Sequence, residues 1–192
     1  MTGEKLEEVK KYVDNKFSRS QGLYHNKEHV TRVGENALKI VRILNLERKI
    51  DKNLLEAIAY LHDITYAYHD ESILTFFFEK QYVKKPLDRF FKTVKIKQDE
   101  IKIMKESIYN HPGSFPWRRL NKKRCIYARV LQDSDTLDLF NKRRIEPFLE
   151  NDCNSIKDRV ARFYMNYGRN HLRKYLNFPQ IFDYFENELF CT

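Results

Sequence analysis

Glycine and proline are scarce in this chain: five of each among 192 residues, punctuating it and never gathered into a linker. There is no internal repeat and no low-complexity tract, so nothing divides the chain. Its length predicts a single domain over 1–192, large enough to bury a core. No apolar run reaches the roughly 18 residues of a membrane span. The opening "MTGEKLEEVKK" is charged from the start and lacks the apolar core of a signal peptide, so the chain is expected in the cytoplasm and off the membrane. Cysteine is thin as well. Cys125, Cys153 and Cys191 are scattered, odd in number and free of any CxxC pair, which argues against a disulfide framework or a thiolate metal site. A strand-like alternation of apolar and polar residues is also missing.

What the chain does have is helical spacing nearly everywhere. Leu6, Val9, Val13 and Phe17 make one stripe; His29, Val33, Ala37, Ile40 and Leu44 make another. Asp51 reads as the N-cap of a helix carrying Leu55, Ile58, Ala59 and His62. A further helix is expected from Glu71 to Val83, and a short one opened by Pro86. Ile101, Met104 and Ile108 mark the next, ending near His111-Pro112-Gly113. Asn121 is the expected cap of a long helix reaching Phe140. Ser155 and Asp158 resemble a capping box ahead of Val160, Phe163, Tyr167 and His171, and Pro179 opens a last helix with Ile181, Phe182, Phe185 and Leu189 turned inward. The fold class is all-α, a bundle of about eight to ten helices around one core.

Positive charge is in excess, with 36 Lys and Arg against 27 Asp and Glu, a formal net charge of +9. That balance suits polyanionic partners such as nucleotides, nucleic acid or phosphorylated metabolites, and suits a solvated lysine-rich surface equally well.

Histidine and aspartate sit where polar residues are costly. "AIAYLHDITY" ends an apolar run with His62 and Asp63, an ionisable pair that needs a partner. A divalent ion is one such partner, because imidazole and carboxylate both donate lone pairs to it. In "YHNKEHVTRV", His29 shares the core stripe of its helix, whereas His25 stands at the helix entrance behind the candidate cap Asn26. "ARVLQDSDTLDLF" sets Asp133, Asp135 and Asp138 inside an apolar helix, where carboxylates need compensation. Asp133 and Asp135 are two apart, about 200° around a helix, so only one of them can face such a site, and periodicity leaves both open.

The order H…HD…D in these three settings resembles the HD-domain metal-dependent phosphohydrolase superfamily, and especially small stand-alone members with HxxxV, LHD and DADxLD motifs. The resemblance covers about Tyr24 to Phe140, a metal-site core of 24–140 followed by a C-terminal helical extension of 141–192. It implies His29, His62, Asp63 and Asp135 as ligands of one divalent transition metal ion, with Mn²⁺ suited to the mixed donors and Fe, Co, Ni, Zn or Mg as further candidates. It implies hydrolysis of a nucleotide or other small phosphate ester by metal-activated water. Family members often carry a histidine where His111 lies, and this one can bind phosphate or move a proton. Asp70 and Glu71, shortly after the HD pair, are candidate bases or simply favour a helix N-terminus.

Around this centre several residues are candidates for substrate. "GSFPWRRLNKKR" mixes Trp117 with Arg118 and Arg119, so it reads either as a nucleotide-binding lid or as a basic surface loop. His25 can touch substrate or support the site. Lys142, Arg143 and Arg144 read as a solvated cluster. Two rival functions remain: a phosphodiesterase or nuclease cutting RNA or DNA, and a sensor or adaptor that binds a nucleotide without turnover, since "LHDI" runs into "TYAYHD" and not into the glycine common after HD. A homo-oligomer is compatible with either.

Overall fold

The computed structural model describes residues 1–18, 25–70, 72, 74–75, 78–111, 125–144 and 156–189. Among these residues there is no β-strand, only an isolated bridge between Asn141 and Leu189. The fold is all-α, and among the described residues the helix count falls inside the expected eight to ten.

Helix α1 (Gly3–Phe17) buries Leu6, Val9, Val13 and Phe17, the stripe read from the sequence. Helix α2 (Lys27–Ile43) starts at Asn26, whose side chain accepts a hydrogen bond from the backbone N–H of His29. This cap fixes where the helix begins and so turns His29, Val33, Ala37 and Ile40 into the core. The helix stops at Asn45, in the left-handed region at φ 53°. There the amide of Asn45 reaches the carbonyl of Arg42, and that of Leu46 reaches Val41. These two bonds satisfy carbonyls at the helix end in the Schellman pattern. Helix α3 (Lys52–Leu61) is capped by Asp51 onto the amide of Leu54, as expected, and leads straight into the buried pair His62-Asp63 and a 3-10 turn, Ile64–Ala67.

Helices α4 (Glu79–Tyr82), α5 (Lys84–Thr93), α6 (Gln98–Asn110) and α7 (Ile126–Leu139) follow. The chain then runs through α8 (Ile156–Tyr175), a 3-10 turn at Pro179–Ile181 and α9 (Phe182–Phe185). The dense packing is α2 against α3 and α7, with α1 on α3 and α6 on α7. Leu55, Ile58, Leu61, Met104, Ile108 and Leu131 are fully buried where these helices meet. At about 1.5–3 kcal/mol for each large apolar side chain removed from water, this shared core dominates the stability and holds the residues between the helices in place.

Three boundaries differ from the sequence reading. The helix expected from 71 to 83 is not continuous. Ser72 is non-helical and its hydroxyl caps the amide of Thr75, and the chain leaves helical geometry again at Phe78 before α4. The long helix assigned to an Asn121 cap starts later: Cys125 is extended and α7 opens at Ile126, with Asn121 itself outside the described residues. Phe163 is exposed, and Leu172 and Leu176 are buried. Pro86 lies in the first turn of α5, where its missing N–H costs nothing, although it is the third residue and not the first. Ser155 lies outside the described residues.

Candidate metal centre

Three helices deliver the site. The cap at Asn26 places His29 in the first turn of α2. The end of α3 carries His62 and Asp63, and the middle of α7 carries Asp135. His29 Nε2 lies 3.3 Å from His62 Nε2, 3.0 Å from Asp63 Oδ2 and 3.5 Å from Asp135 Oδ1. His62 Nε2 is 3.2 Å from Asp63 Oδ2 and 3.8 Å from Asp135 Oδ1. Around an ion with bonds near 2.1 Å, neighbouring donor atoms stand about 3.0 Å apart in an octahedron and about 3.4 Å in a tetrahedron. These five separations are therefore close to those that a shared ion requires, with His29 and His62 common to both carboxylates.

The rings are locked with the right nitrogen inward. His62 Nδ1 lies 2.6 Å from the carbonyl of Ala59, and His111 Nδ1 lies 2.8 Å from that of Ile108. His29 Nδ1 lies 2.7 Å from Asp138 Oδ2. With each Nδ1–H donated outward, Nε2 is the nitrogen aimed at the centre, able to offer its lone pair to a metal once its proton is lost, which is how protein-bound imidazoles are oriented toward metals. Asp63 Oδ2 is buried and lacks an aligned hydrogen bond despite its short distances to two imidazoles. A buried carboxylate oxygen in that condition is costly unless a cation completes it.

The electrostatics agree with this. Burial opposes the ionisation of Asp63, yet the charges of His62 and His25, with His111 and His29 in contact, hold its carboxyl well below the usual range. Burial also opposes a charge on His62, but Asp63 and Asp135 outweigh it and raise the imidazole well above its ordinary value. Asp135 is likewise lowered, against burial, by His62 and His29. Protons on imidazole thus supply positive charge where a divalent ion would otherwise supply it.

Asp133 and Asp135 point in different directions, as their spacing demands. Asp133 accepts the backbone amides of Asn177 at 2.7 Å and Phe178 at 2.8 Å, while Asp135 joins the histidines. Asp138, one turn further on, is the acid the sequence left unassigned. It is completely buried, receives Arg32 Nε at 2.6 Å and Arg144 Nη1 at 3.3 Å, and orients His29. Arg144 is therefore engaged with the centre and does not belong to a merely solvated cluster.

His111 joins the same cluster from the end of α6. Its Nε2 is 3.7 Å from Asp63 Oδ1 and 3.4 Å from Glu79 Oε1. Glu79 was not among the expected residues. It is buried on α4, its Oε1 lacks a hydrogen bond, and its carboxyl is pushed up to about 7, first by burial and further by Asp63, against the pull of His111. Its sequence setting, "FFFEK", offered no more than an acid in an apolar stretch. Asp70, by contrast, is exposed, and its carbonyl receives the hydroxyl of Thr75. No contact between its carboxylate and the cluster is seen among the described residues. Glu71, Trp117, Arg118 and Arg119 lie outside the described residues. His25 stacks on Tyr66 with centroids 3.7 Å apart and holds Nε2 3.9 Å from Asp63 Oδ2, at the rim of the centre.

Residues 26–139, well over half of the chain, match the HD domain family. The chain belongs to the HD domain family. HD domains bind divalent metal ions, and the His/Asp cluster has the donors to hold one. A structure from an uncultured Thermotogales bacterium, described as a predicted HD superfamily hydrolase, is 20% identical. It superposes with a TM-score of 0.56 over 88% of this HD protein and 92% of its own chain. A structure from Lactobacillus plantarum is 19% identical with the same TM-score of 0.56 and covers 73% of this chain, which spans 58% of that protein's length. At such identities the likeness concerns the fold. No curated protein matches the chain significantly. Among the described residues no helix is long and apolar enough to cross a membrane.

Proposed function

We propose that this HD protein is a metal-dependent phosphohydrolase acting on a nucleotide or another small phosphate ester, with His29, His62, Asp63 and Asp135 as the ligands of one divalent ion. The observation that carries the reading is the convergence of four donor atoms from α2, α3 and α7 on one buried point, with imidazoles oriented for coordination and a carboxylate oxygen still lacking a hydrogen bond. The donor set, two nitrogens and two carboxylates, suits Mn²⁺ or a similar transition ion. When bound, such an ion withdraws charge from a phosphoryl group and acidifies water.

The chain's own residues supply the rest. Asp138, with Arg32 behind it, keeps the His29 ring fixed against the centre. His111 and Glu79 form a buried acid–base pair on the Asp63 side, poised to hold or release a proton near neutrality. His25, stacked on Tyr66 with Nε2 3.9 Å from Asp63 Oδ2, stands at the rim of the centre, where a substrate phosphate can approach.

The test is a hydrolysis screen over nucleotides, sugar phosphates and a single-stranded oligonucleotide with Mn²⁺, Co²⁺ and Mg²⁺, run beside Asp63→Ala. Phosphate release that depends on metal and disappears in Asp63→Ala is expected, with one ion per chain by elemental analysis. Undiminished turnover in the variant would sink the reading. Cleavage of the oligonucleotide alone would move the substrate to nucleic acid. Two ions per chain would assign His62, Asp63 and His111, whose donors also lie within 4.8 Å of one another, to a second site.

A further inference from the structure

Behind the metal centre, on the outer face of α2, lies a cavity of about 560 Å³. Arg32, Glu35, Lys39 and Arg42 enter it from α2 at helical spacing, and Lys142 and Arg143 enter from the segment after α7. None of the proposed metal ligands lines it, so it is separate from the centre.

The charges in this cavity are not balanced. Arg32 is committed to Asp138, and Lys39 Nζ lies 2.5 Å from Glu188. Arg42, Lys142 and Arg143 take part in no ion pair seen among the described residues, and Glu35 is the one acid of the lining beyond Glu188. Three cations with one opposing carboxylate, gathered in a concavity, focus positive potential on whatever enters. The volume falls within the roughly 300–1,000 Å³ typical of small-molecule pockets. No aromatic side chain lines the cavity, so nothing there stacks on a base, while three asparagines offer amide donors and acceptors. A guanidinium pair with a nearby ammonium matches adjacent phosphates more closely than a single carboxylate or an extended duplex.

We infer that this pocket is a second binding site, separate from the metal centre, for a compact di- or polyphosphate group. The inference does not depend on turnover. It stands if the hydrolysis screen is negative, and it can fail while that screen succeeds.

Inorganic pyrophosphate is the probe, titrated calorimetrically into the metal-loaded protein and into Asp63→Ala, which lacks the proposed metal centre. Binding is expected to persist in Asp63→Ala and to weaken at least tenfold when Lys142→Glu and Arg143→Glu are added. Both substitutions fall outside the metal centre, and Arg143→Gln serves as a milder version if the double variant folds poorly. Amide shifts induced by pyrophosphate in Asp63→Ala are expected at Lys39, Arg42 and Arg143. Absence of binding in Asp63→Ala, undiminished affinity in the basic-residue variants, or amide shifts confined to the His111 side would each overturn the proposal.

Discussion

Asp138 never touches the proposed ion position, yet it governs one ligand through the 2.7 Å contact with His29 Nδ1. Asp138→Asn keeps the shape but offers the ring an amide in place of a carboxylate, so His29 loses its fixed tautomer and some basicity. Metal affinity is expected to fall roughly 10–100-fold, measured by competition with a chromogenic chelator. Glu79→Gln leaves the four donors in place and removes a proton acceptor. Its expected signature is a kcat lowered by about 10²–10⁴ with metal content retained. The proposed donors stood out in the sequence because polar residues break apolar patterns there, His29 on a core stripe, His62-Asp63 at the end of an apolar run and the acids of α7 within an apolar helix, while the preference for Asp135 came from the resemblance to the HD superfamily. Periodicity alone could not choose between Asp133 and Asp135, since both directions around α7 are buried. Glu79 was hidden because its placement depends on where α4 starts, and that depends on the break at Phe78. Asp70, put forward with Glu71 as a candidate base after the HD pair, is exposed.

Among the elements, two glycines separate local preference from packing. Gly34 sits inside α2, and a Cβ there would meet Tyr60, Glu56 and Ala59 at 3.6–3.9 Å, which is ordinary contact. Gly34→Ala is therefore expected to stabilise the protein by about 0.5–1 kcal/mol, seen as a higher urea midpoint. Gly168 in α8 is the opposite case. A Cβ there would lie 2.1 Å from the ring of Phe140, which is itself buried. Gly168→Ala should cost about 1–3 kcal/mol through overpacking in the same measurement, and the absence of a penalty would mean that α8 docks elsewhere. Helix identities and their inward stripes were readable because caps and spacing are local signals, as at Asn26 and Asp51. The failures fell at helix starts: Ser72 caps the amide of Thr75 and interrupts the expected helix, and the backbone is extended at Cys125, with no side-chain cap, before α7 opens.

For the whole molecule, the cluster makes stability depend on pH when the metal is removed. Burial resists a charge on His62 and His111, yet the neighbouring carboxylates raise both above 6.5. Their contribution is complete below that value and is lost as pH rises through the raised pKa values. Glu79, raised from 4.5 to about 7, acts in the same direction, because the fold keeps a proton that the unfolded chain has released. Asp63, Asp135 and Asp138 are depressed, so their contribution is complete above the ordinary 3.8 and disappears in stronger acid. The metal-free protein is therefore expected to melt highest at about pH 5–6 and lower at about pH 8, by roughly 2–4 °C for each kcal/mol lost. Saturating Mn²⁺ should cancel or reverse that slope, since the ion competes with protons for the same donors. A flat metal-free profile in thermal denaturation would contradict the cluster's electrostatics.

The two amides that reach Asp133 carry a further consequence. The family match ends at residue 139, but the carboxylate of Asp133, buried within that stretch, is bound by Asn177 and Phe178, well beyond it. A chain trimmed to the recognised segment would keep every proposed metal donor and lose the amides that hydrogen-bond a buried carboxylate two residues from Asp135. The tail thus serves as a clasp closed on the back of the helix that bears Asp135, and a chain cut at the end of the motif is expected to be less stable than one that reaches Phe178.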